Sequence, residues 1–515
     1  MNETQSSNYL GKKGYTIYKT NLNKKQITKI YNELNVKPQI QGQPHLIHSE
    51  YPVYRESQTK LYIPRYYGFD NFGKYENKLS KGYPINIKFV GELFPYQNNI
   101  IDKYISAVKD SGGGLLDVEP GKGKTVMALN IISKLKTKTL VIVHKTFLMN
   151  QWIERIQTFL PNATIGKIQG DTIDIDKDIV IGMLQSLSSK EYDIEWGQFG
   201  LSIFDECHHL SAEVFSKIMI NVVTNYTLGL SGTMKRKDGL TKVFEYFIGP
   251  VIHKEKTDLT TEVLVRSIIV DFNNFDNVKT DFRGNPLYSL MINELDCKER
   301  NDFLVSVIQT ELNKNPKQQI MILSNTKNLL HQLYEGIHLF EESIGYYLGG
   351  MKEEKLKESE SKKIILATYA MASEGLDIKT LTTLVMATPK SDVCQSVGRI
   401  LRSKHERPMV IDIVDNHKLF QNQYKKRCTY YKSKNYLVEK YNRPQNYYTG
   451  TKETNANSNS KTKSKCNPDN LNHLNNDNLA DSNDSNDSDD SNYFDNFDDI
   501  DKNNSKEKIK CLIKL

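Results

Sequence analysis

The sequence predicts an α/β fold with two successive parallel sheets flanked by helices, an N-terminal accessory domain and a disordered C-terminal tail. Short β-rich apolar runs alternate with helix-length segments, which is typical of βαβ units. The runs form two groups, separated by the mostly polar segment 255–262, which we expect to be an inter-domain hinge. The predicted strands are 139–143, 179–181, 201–204, 320–323, 364–367 and 409–413.

Domain boundaries follow from these groups and from changes in composition. Residues 1–88 are rich in Tyr and Lys, lack the alternation and are predicted to form the accessory domain. The first α/β domain is predicted over 89–254 and the second over 263–425, followed by a basic, Tyr-rich extension over 426–450. Residues 451–507 are mainly Asn, Ser and Asp, and their few apolar side chains cannot offset the entropy of ordering the chain.

The composition excludes several classes of protein. Of the 515 residues, 38% are apolar and 25% charged, unlike collagen, a coiled coil or a wholly disordered chain. Apolar runs are far shorter than the roughly 20 residues of a membrane span, and the polar N-terminus lacks a signal-peptide core. The six cysteines include no Cys-x-x-Cys pair, which favours a reducing compartment. We therefore expect a soluble intracellular monomer without membrane contact.

The formal charge of +7 is unevenly distributed. Residues 451–507 hold 6 Lys against 13 Asp and Glu, and the last eight residues add 3 Lys, so residues 1–450 carry +11. A basic body is compatible with binding nucleic acid, although charge alone fits a solvated Lys-rich surface equally well. The favoured interpretation of the acidic tail is a low-complexity extension, and the alternative is autoinhibition by mimicry of nucleic acid.

A phosphate-binding loop is the strongest local signal. Residues 115–125 read Leu-Leu-Asp-Val-Glu-Pro-Gly-Lys-Gly-Lys-Thr and precede a helical pattern over 126–135, so a strand, a glycine-rich loop and a helix follow one another. The glycines would let backbone N–H groups approach phosphate oxygens, Lys124 would bring positive charge to the β- and γ-phosphates of ATP, and Thr125 would be a ligand of Mg²⁺. The candidate nucleotide-binding residues are Gly121, Lys122, Gly123, Lys124 and Thr125.

Two adjacent carboxylates follow the predicted strand 201–204. They would lie at the carboxyl edge of the parallel sheet, where the phosphate loop also lies. Asp205 would hold Mg²⁺, commonly through water, and Glu206 would orient and polarise the attacking water. The alternative is an ordinary surface pair, which the phosphate loop upstream disfavours.

A pair of arginines points to the same chemistry in the second group of strands. Arg399 and Arg402 are three residues apart and would share one helix face. A rigid guanidinium suits a γ-phosphate, and supplying it from a second domain makes hydrolysis depend on closure of the cleft. The alternative is a surface ion-pair face, which is disfavoured by Gln395 and Gly398 in the same segment together with the complete set of motifs in the first domain. Gly375 would let the loop before Asp377 turn tightly.

Gly-Lys-Gly-Lys-Thr followed by Asp-Glu-Cys-His resembles the helicases and translocases of superfamily 2, in which two RecA-like domains bind ATP and Mg²⁺ between them. The resemblance implies that Gln97 lies on the adenine side of the nucleotide, and that Gly375 and Asp377 border the nucleotide from the second domain. It also implies that Ser231 and its neighbours link the ATP state to the nucleic-acid groove. Val118 stands where the strict phosphate-loop pattern has Gly, a form common in helicase-type ATPases. The matching segments are 94–97, 121–125, 141–145, 151–152, 181–186, 205–208, 228–233, 320–325, 367–377 and 395–402.

Within the superfamily, segments 395–402 and 229–239 are similar to the double-stranded-DNA branch. That branch includes the xeroderma pigmentosum group B repair helicase, the phage recombination helicase UvsW and the poxvirus transcript-release helicase. The resemblance implies an ATP-dependent DNA helicase or translocase in viral transcription, repair or recombination, with that machinery as candidate partners, in the host cytoplasm or the virion. An RNA helicase and a nucleic-acid clamp with an inactive ATPase remain the alternatives.

The segment 51–68 interleaves basic residues with tyrosines and is similar to the leader of the large-DNA-virus members. Phosphate contacts and base stacking would allow it to line a nucleic-acid path. The favoured interpretation is that the tyrosines form the core of the accessory domain. The residues concerned are Tyr54, Arg55, Lys60, Tyr62, Arg65, Tyr66 and Tyr67.

Overall fold

The computed structural model describes most of the first 452 residues, and the described part contains two large, mainly parallel sheets, a five-stranded sheet and a two-stranded sheet. The predicted hinge and the predicted tail, apart from residues 451–452, lie outside the described residues. The described residues are 7–37, 50–119, 122–206, 212–232, 240–254, 263–273, 275, 278–280, 287–373, 378–391, 393, 396–398 and 408–452.

The N-terminal part forms a mainly antiparallel sheet with two helices. Its elements are β1 (Tyr9–Gly11), β2 (Gly14–Tyr18), α1 (Lys24–Leu34), β3 (Asn35–Val36), β4 (Tyr51–Pro52), β5 (Arg55–Glu56), β6 (Lys60–Ile63), α2 (Arg65–Phe72) and β7 (Glu76–Asn77). The described strands follow the order β5-β6-β2-β1-β7, while β3 pairs with β4 separately. Asn23 begins α1 because its side chain accepts a hydrogen bond from the Gln26 backbone N–H, and the Gln26 side chain accepts one from the Asn23 N–H in return.

The first parallel sheet has the strand order β11-β10-β12-β9-β13-β14-β8-β15 within the described residues. Its described pairs are parallel except for that of β10 with β11. The elements are α3 (Pro95–Ser111), β8 (Gly113–Asp117), α4 (Lys124–Leu135), β9 (Thr139–Val143), α5 (Thr146–Phe159), β10 (Ile165–Gln169), β11 (Thr172–Ile173), β12 (Ile179–Met183), α6 (Leu184–Ser189), β13 (Leu201–Asp205), α7 (Ala212–Asn221), β14 (Tyr226–Ser231), α8 (Thr241–Ile248) and β15 (Val251–Lys254).

The second parallel sheet has the order β18-β19-β17-β20-β21-β16-β22 over the part of the chain that is described, and every pair in it is parallel. The elements are β16 (Leu264–Val270), α9 (Tyr288–Glu294), α10 (Lys298–Lys314), β17 (Gln319–Ser324), α11 (Lys327–His338), β18 (Ile344–Tyr347), α12 (Glu353–Glu360), β19 (Ile364–Thr368), α13 (Tyr369–Ser373), β20 (Leu381–Met386), β21 (Met409–Asp415), α14 (Lys418–Ser433), β22 (Leu437–Tyr441) and α15 (Pro444–Thr449). Together the two sheets confirm the predicted α/β class.

The predicted strands are confirmed, because strands buried on both faces appear in the sequence as continuous apolar runs. Strand β9 has the predicted bounds, and the other five contain the predicted run and extend it by one or two residues in all. The helix predicted over 126–135 begins two residues earlier, at Lys124.

The first parallel sheet is covered on both faces, and one of the covers is the N-terminal part of the chain. Val141 and Ile203 pack in a cluster with side chains of α3, α4 and α5. Ile142 and Phe204 alternate with them and belong to the same apolar cluster as Ile17 of β2. The accessory sheet therefore shares a core with the first parallel sheet.

The structure differs from the sequence prediction at two boundaries. Residues 85 and 87, predicted to end the accessory domain, are isoleucines buried in the cluster under α3 and α4. Helix α14 continues past residue 425, and β22 pairs with β16 as an edge strand of the second sheet. The predicted extension over 426–450 is thus a continuation of the second sheet, because Val438 and Tyr441 bury their side chains there.

The Tyr-rich segment divides into buried and surface residues. Tyr66 and Tyr67 are buried, as the favoured interpretation predicts. Arg65 is also buried, where its Nε donates to the Tyr75 hydroxyl at 2.9 Å and its Nη1 to the Asn225 carbonyl at 2.8 Å. Arg65 is therefore a structural residue and does not line a nucleic-acid path.

Of the helices described, none combines the length and the apolar character needed to cross a membrane.

Candidate active site

The phosphate loop connects the end of β8 to the start of α4. Lys122 to Thr125 lie at the N-terminus of this 12-residue helix, whose first N–H groups and dipole favour a bound anion. Gly123 has φ of +80°, and a Cβ atom there would lie 2.4 Å from Nε2 of Gln97. Glycine is therefore required at 123 both for the backbone conformation and for the space. Gly121 lies outside the described residues.

Gln97 holds the loop from the first turn of α3. Its buried amide accepts a hydrogen bond from the Phe94 N–H at 3.0 Å, and its Nε2 donates to the Lys122 carbonyl at 3.0 Å. The Tyr96 hydroxyl donates to the same carbonyl at 3.1 Å. These contacts hold Gln97 beside the phosphate loop.

Lys124 and the two carboxylates meet at the carboxyl edge of the sheet. Nζ of Lys124 donates to Oε1 of Glu206 at 2.7 Å, and the two side chains are 10% and 23% exposed. Glu206 has φ of +47°, in the left-handed region that non-glycine residues seldom occupy. Such strain costs on the order of 1–3 kcal/mol and is concentrated at functional sites.

Asp205 is buried beside this ion pair. Its Oδ2 accepts a hydrogen bond from Nε1 of Trp152 at 2.8 Å, and its Oδ1 accepts one from the Glu206 N–H at 3.0 Å. Burial and the neighbouring Glu206 carboxylate raise the pKa of Asp205 to about 6, although Lys124 and the Trp152 hydrogen bond oppose the shift. Trp152 belongs to this site, and the sequence analysis did not predict its role. The signal that could have revealed this role is that a buried indole N–H requires a hydrogen-bond acceptor.

The strand order explains why these residues converge. Strand β14 lies between β8 and β13, with Ser231 opposite Asp117 and Leu230 opposite Asp205. The Val118 N–H donates to the Ser231 carbonyl at 2.9 Å, and the Val118 side chain is fully buried. Val118 thus completes the sheet where the strict phosphate-loop pattern has Gly, and it links the loop to the segment around Ser231.

The neighbouring strand ends are linked by side-chain hydrogen bonds. Nε2 of Gln185 donates to the His144 carbonyl at 2.8 Å, and Nε2 of Gln169 donates to Oγ1 of Thr146 at 3.2 Å. The segments 141–145 and 181–186, predicted from the resemblance, therefore lie at one edge of the sheet.

The predicted residues of the second domain lie outside the described residues. They are Gly375, Asp377, Gln395, Arg399 and Arg402. The described turn 396–398 is helical and leads directly to Arg399. Among the described residues, contacts between the two α/β domains include an ion pair of Lys434 with Glu119 of the phosphate loop and a hydrogen bond of 3.0 Å from Nδ2 of Asn150 to Oε2 of Glu353. The sequence analysis did not identify Lys434.

The chemistry of the described donor set fits a magnesium nucleotide. The Lys124 amine and the N-terminus of α4 are suited to bind phosphate. The Thr125 hydroxyl and the Asp205 carboxylate offer hard oxygen atoms, which Mg²⁺ prefers as ligands. Thr125 lies half-buried in the first turn of α4.

Comparison with protein families gives two matches along the chain. Residues 91–236 match the family described as type III restriction enzyme, res subunit. Residues 300–404 match the helicase conserved C-terminal domain. The first match contains the phosphate loop and both carboxylates, and the second contains Arg399 and Arg402.

Several individual proteins are similar over most of the chain. A putative ATP-dependent RNA helicase of Acanthamoeba polyphaga mimivirus is 37% identical over 445 residues, which cover 83% of this chain and 86% of that protein. A putative helicase of Invertebrate iridescent virus 6 is 27% identical over 383 residues, 69% of this chain and 84% of that protein. Among solved structures, T4 UvsW matches with 17% identity and a TM-score of 0.33, covering 82% of this chain and 96% of the UvsW chain.

Proposed function

The chain belongs to superfamily 2 of the helicases, and on that premise we propose that it is an ATP-driven motor that moves along DNA or separates its strands. Membership makes it an ATP-hydrolysing enzyme that binds nucleic acid. The observation that supports the site of hydrolysis is the convergence of Lys124, Asp205 and Glu206 at one edge of the first sheet.

Each residue of this group has a distinct role in the proposal. Lys124 binds the β- and γ-phosphates, and Glu206 orients the attacking water and accepts its proton. Asp205, held by Trp152, and Thr125 bind Mg²⁺. Mg²⁺, when bound, neutralises charge on the phosphate oxygens. Gln97 borders the base, and the backbone of 121–123 surrounds the phosphates.

The second domain completes the site when the cleft closes. We propose that Arg399 and Arg402 contact the γ-phosphate, that Gln395 belongs to the same catalytic set, and that Gly375 and Asp377 border the nucleotide. This dependence on closure couples hydrolysis to nucleic acid that spans both domains. Repeated closing and opening then moves the domains along one strand.

The sequences 395–402 and 229–239, which resemble the double-stranded-DNA branch, favour DNA over RNA as the track. RNA is the alternative substrate, and the mimivirus relative is named as an RNA helicase. Viral transcript release, repair and recombination are the processes in which such a motor would act. A clamp without ATP turnover is disfavoured because the chain has Lys124 and Glu206.

One experiment tests the choice of track. ATPase rates are measured with single-stranded DNA, duplex DNA, forked DNA and RNA as stimulators of the full-length chain. We expect duplex or forked DNA to stimulate most. Stimulation by RNA alone would replace this proposal by the RNA helicase, and no stimulation by any nucleic acid would contradict both.

A further inference from the structure

The face of the N-terminal sheet that points away from the shared core carries three partly exposed tyrosines, whereas the covered face carries buried side chains. Side chains alternate along a strand, and Ile17 and Leu61 are buried in the core shared with the first parallel sheet. Tyr9, Tyr18 and Tyr62 are partly exposed, and none of them belongs to an apolar cluster of the described residues.

The strand register aligns these tyrosines in rows. Tyr9 of β1 lies opposite Thr16 of β2, which lies opposite Tyr62 of β6. Two strand spacings, about 10 Å, therefore separate Tyr9 from Tyr62. Tyr18 lies in the neighbouring row opposite Lys60, and its ring centroid is 6.4 Å from that of Tyr9. The face thus offers several rings within reach of one extended strand.

Lysines surround the rings. Nζ of Lys60 lies 4.7 Å from the Tyr18 ring centroid and 5.4 Å from that of Tyr9. Nζ of Lys13 lies 5.1 Å from the Tyr62 ring. Lys78 also approaches Tyr9, but its Nζ is 3.0 Å from the Glu76 carboxylate, so its charge is partly neutralised. Lys13 and Lys60 therefore provide positive charge beside the three rings.

The charge of the chain is concentrated in the same part of the molecule. Residues 1–88 contain 14 Lys and Arg against 6 Asp and Glu, a formal charge of +8. This is most of the +11 carried by residues 1–450. A short domain with this excess attracts a polyanion more strongly than the rest of the protein.

We propose that this face, defined by Tyr9, Tyr18, Tyr62, Lys13 and Lys60, binds a single strand of DNA. Bases stack on the tyrosine rings and the lysines contact the phosphates, a combination that binds single strands with little dependence on sequence. The inference rests on the proposed DNA motor and adds to it a second contact outside the two parallel sheets. That contact would hold one strand while the motor domains open and close.

Removing the rings tests the stacking. The full-length Tyr9→Leu/Tyr62→Leu variant is compared with Tyr9→Phe/Tyr62→Phe, which keeps the rings, in fluorescence-anisotropy titrations with labelled oligothymidine without nucleotide. We expect the Leu variant to bind about 30-fold or more weakly, from about 1 kcal/mol or more for each of the two stacked bases, and the Phe variant to bind like the wild type. Equal affinity of the two variants would overturn the proposal.

Removing the lysines tests the phosphate contacts. Lys13→Gln/Lys60→Gln should reduce the slope of log affinity against log salt by about 1.4, at roughly 0.7 per phosphate of a single strand. The matched control is Lys24→Gln/Lys25→Gln, on helix α1, which packs against the covered face. The control variant should keep the wild-type slope. An equal change of slope in both variants would show that only the net charge of the protein matters, and it would overturn the proposed site.

Crosslinking needs no variant and therefore does not depend on folding of the substituted chains. Single-stranded DNA with 5-iododeoxyuridine, irradiated with the wild-type protein, should crosslink to Tyr9, Tyr18 or Tyr62 and be located by mass spectrometry. Crosslinks confined to the parallel-sheet domains would overturn the proposal. If the Tyr9→Leu/Tyr62→Leu variant loses more affinity for oligouridine than for oligothymidine, the assignment of this face to DNA is overturned. The proposed motor fails by a separate result, ATP turnover that no nucleic acid stimulates.

Discussion

Lys124 and Glu206, 82 residues apart in the chain, form an ion pair of 2.7 Å between the start of α4 and the end of β13. Each side chain is mostly buried, so neither charge is fully solvated. The phosphate-binding group and the water-orienting group of the proposed reaction are therefore direct neighbours. Substituting one of them also changes the surroundings of the other.

Although Lys124 and Glu206 are paired, substituting each of them should affect nucleotide binding differently. We expect Lys124→Ala and Glu206→Gln each to abolish ATP turnover, since one removes the charge that binds phosphate and the other removes the base. Glu206→Gln should still bind ATP with Mg²⁺, whereas Lys124→Ala should bind it poorly. Binding is measured with a fluorescent ATP analogue, and turnover by phosphate release.

A control for this comparison lies on the same helix. Lys134 of α4 forms an exposed ion pair with Asp102, so Lys134→Ala removes the same charge away from the loop. It should leave both nucleotide binding and turnover near the wild-type values. Equal nucleotide affinity of the Lys124 and Glu206 variants would contradict the assigned roles.

Trp152 is expected to govern the affinity for Mg²⁺ through Asp205. Trp152→Phe keeps an aromatic ring in the core but removes the hydrogen bond to Oδ2 of Asp205. Groups that orient metal ligands typically change metal affinity by 10- to 100-fold when removed. The Mg²⁺ concentration that gives half-maximal ATPase should therefore rise by about tenfold. Trp196→Phe, remote from the site, should leave it unchanged, and an unchanged requirement in both variants would show that Asp205 needs no such support.

Trp152 also illustrates what the sequence predicts and what it does not. The apolar runs predict the strands, and the glycine-rich loop predicts the helix that follows it, because these signals are local. The Trp152–Asp205 bond joins residues 53 apart and depends on the order of strands in the sheet. That order is a property of the whole fold, so the sequence identifies both residues without revealing their contact.

The boundaries were predicted less well for a similar reason. Composition separates residues 426–450 from the βα pattern, since lysines and tyrosines dominate there. In the structure, Tyr441 and Tyr447 bury their rings in the second core, and Val438 completes the edge of the sheet. Tyrosines are compatible with either surface or core, and only the tertiary packing decides between them.

Arg427 is expected to stabilise the second domain. Its Nε and Nη2 each donate to the Asp412 carboxylate at 2.9 Å, and its Nη1 donates to the Lys390 carbonyl at 2.7 Å. Both partners of the ion pair are fully buried. Arg427→Met leaves the Asp412 carboxylate buried and unpaired with the arginine, at a cost of about 3–5 kcal/mol in the free energy of unfolding. Urea unfolding measures this loss.

The Arg427 prediction has a compensating variant. Arg427→Met/Asp412→Asn removes the buried negative charge but keeps an oxygen that accepts the hydrogen bond of the Tyr431 hydroxyl. This double variant should recover part of the stability that Arg427→Met loses. If both are equally destabilised, the lost packing and the lost bond to Lys390, rather than the unpaired charge, account for the effect.

Arg399 is expected to act on hydrolysis and not on the DNA track. If it contacts the γ-phosphate only when the second domain closes, Arg399→Ala should lose most of the DNA-stimulated ATPase, since an arginine finger contributes on the order of 10³–10⁵ in turnover. Its nucleotide-free affinity for duplex DNA should change little. A phosphate-backbone contact would instead weaken that affinity and make the salt slope shallower by about one phosphate. The two roles are distinguished by titrating the variant with duplex DNA at two salt concentrations and measuring its ATPase rate. Weak DNA binding with normal turnover at saturating DNA would refute the assignment of Arg399 as an arginine finger.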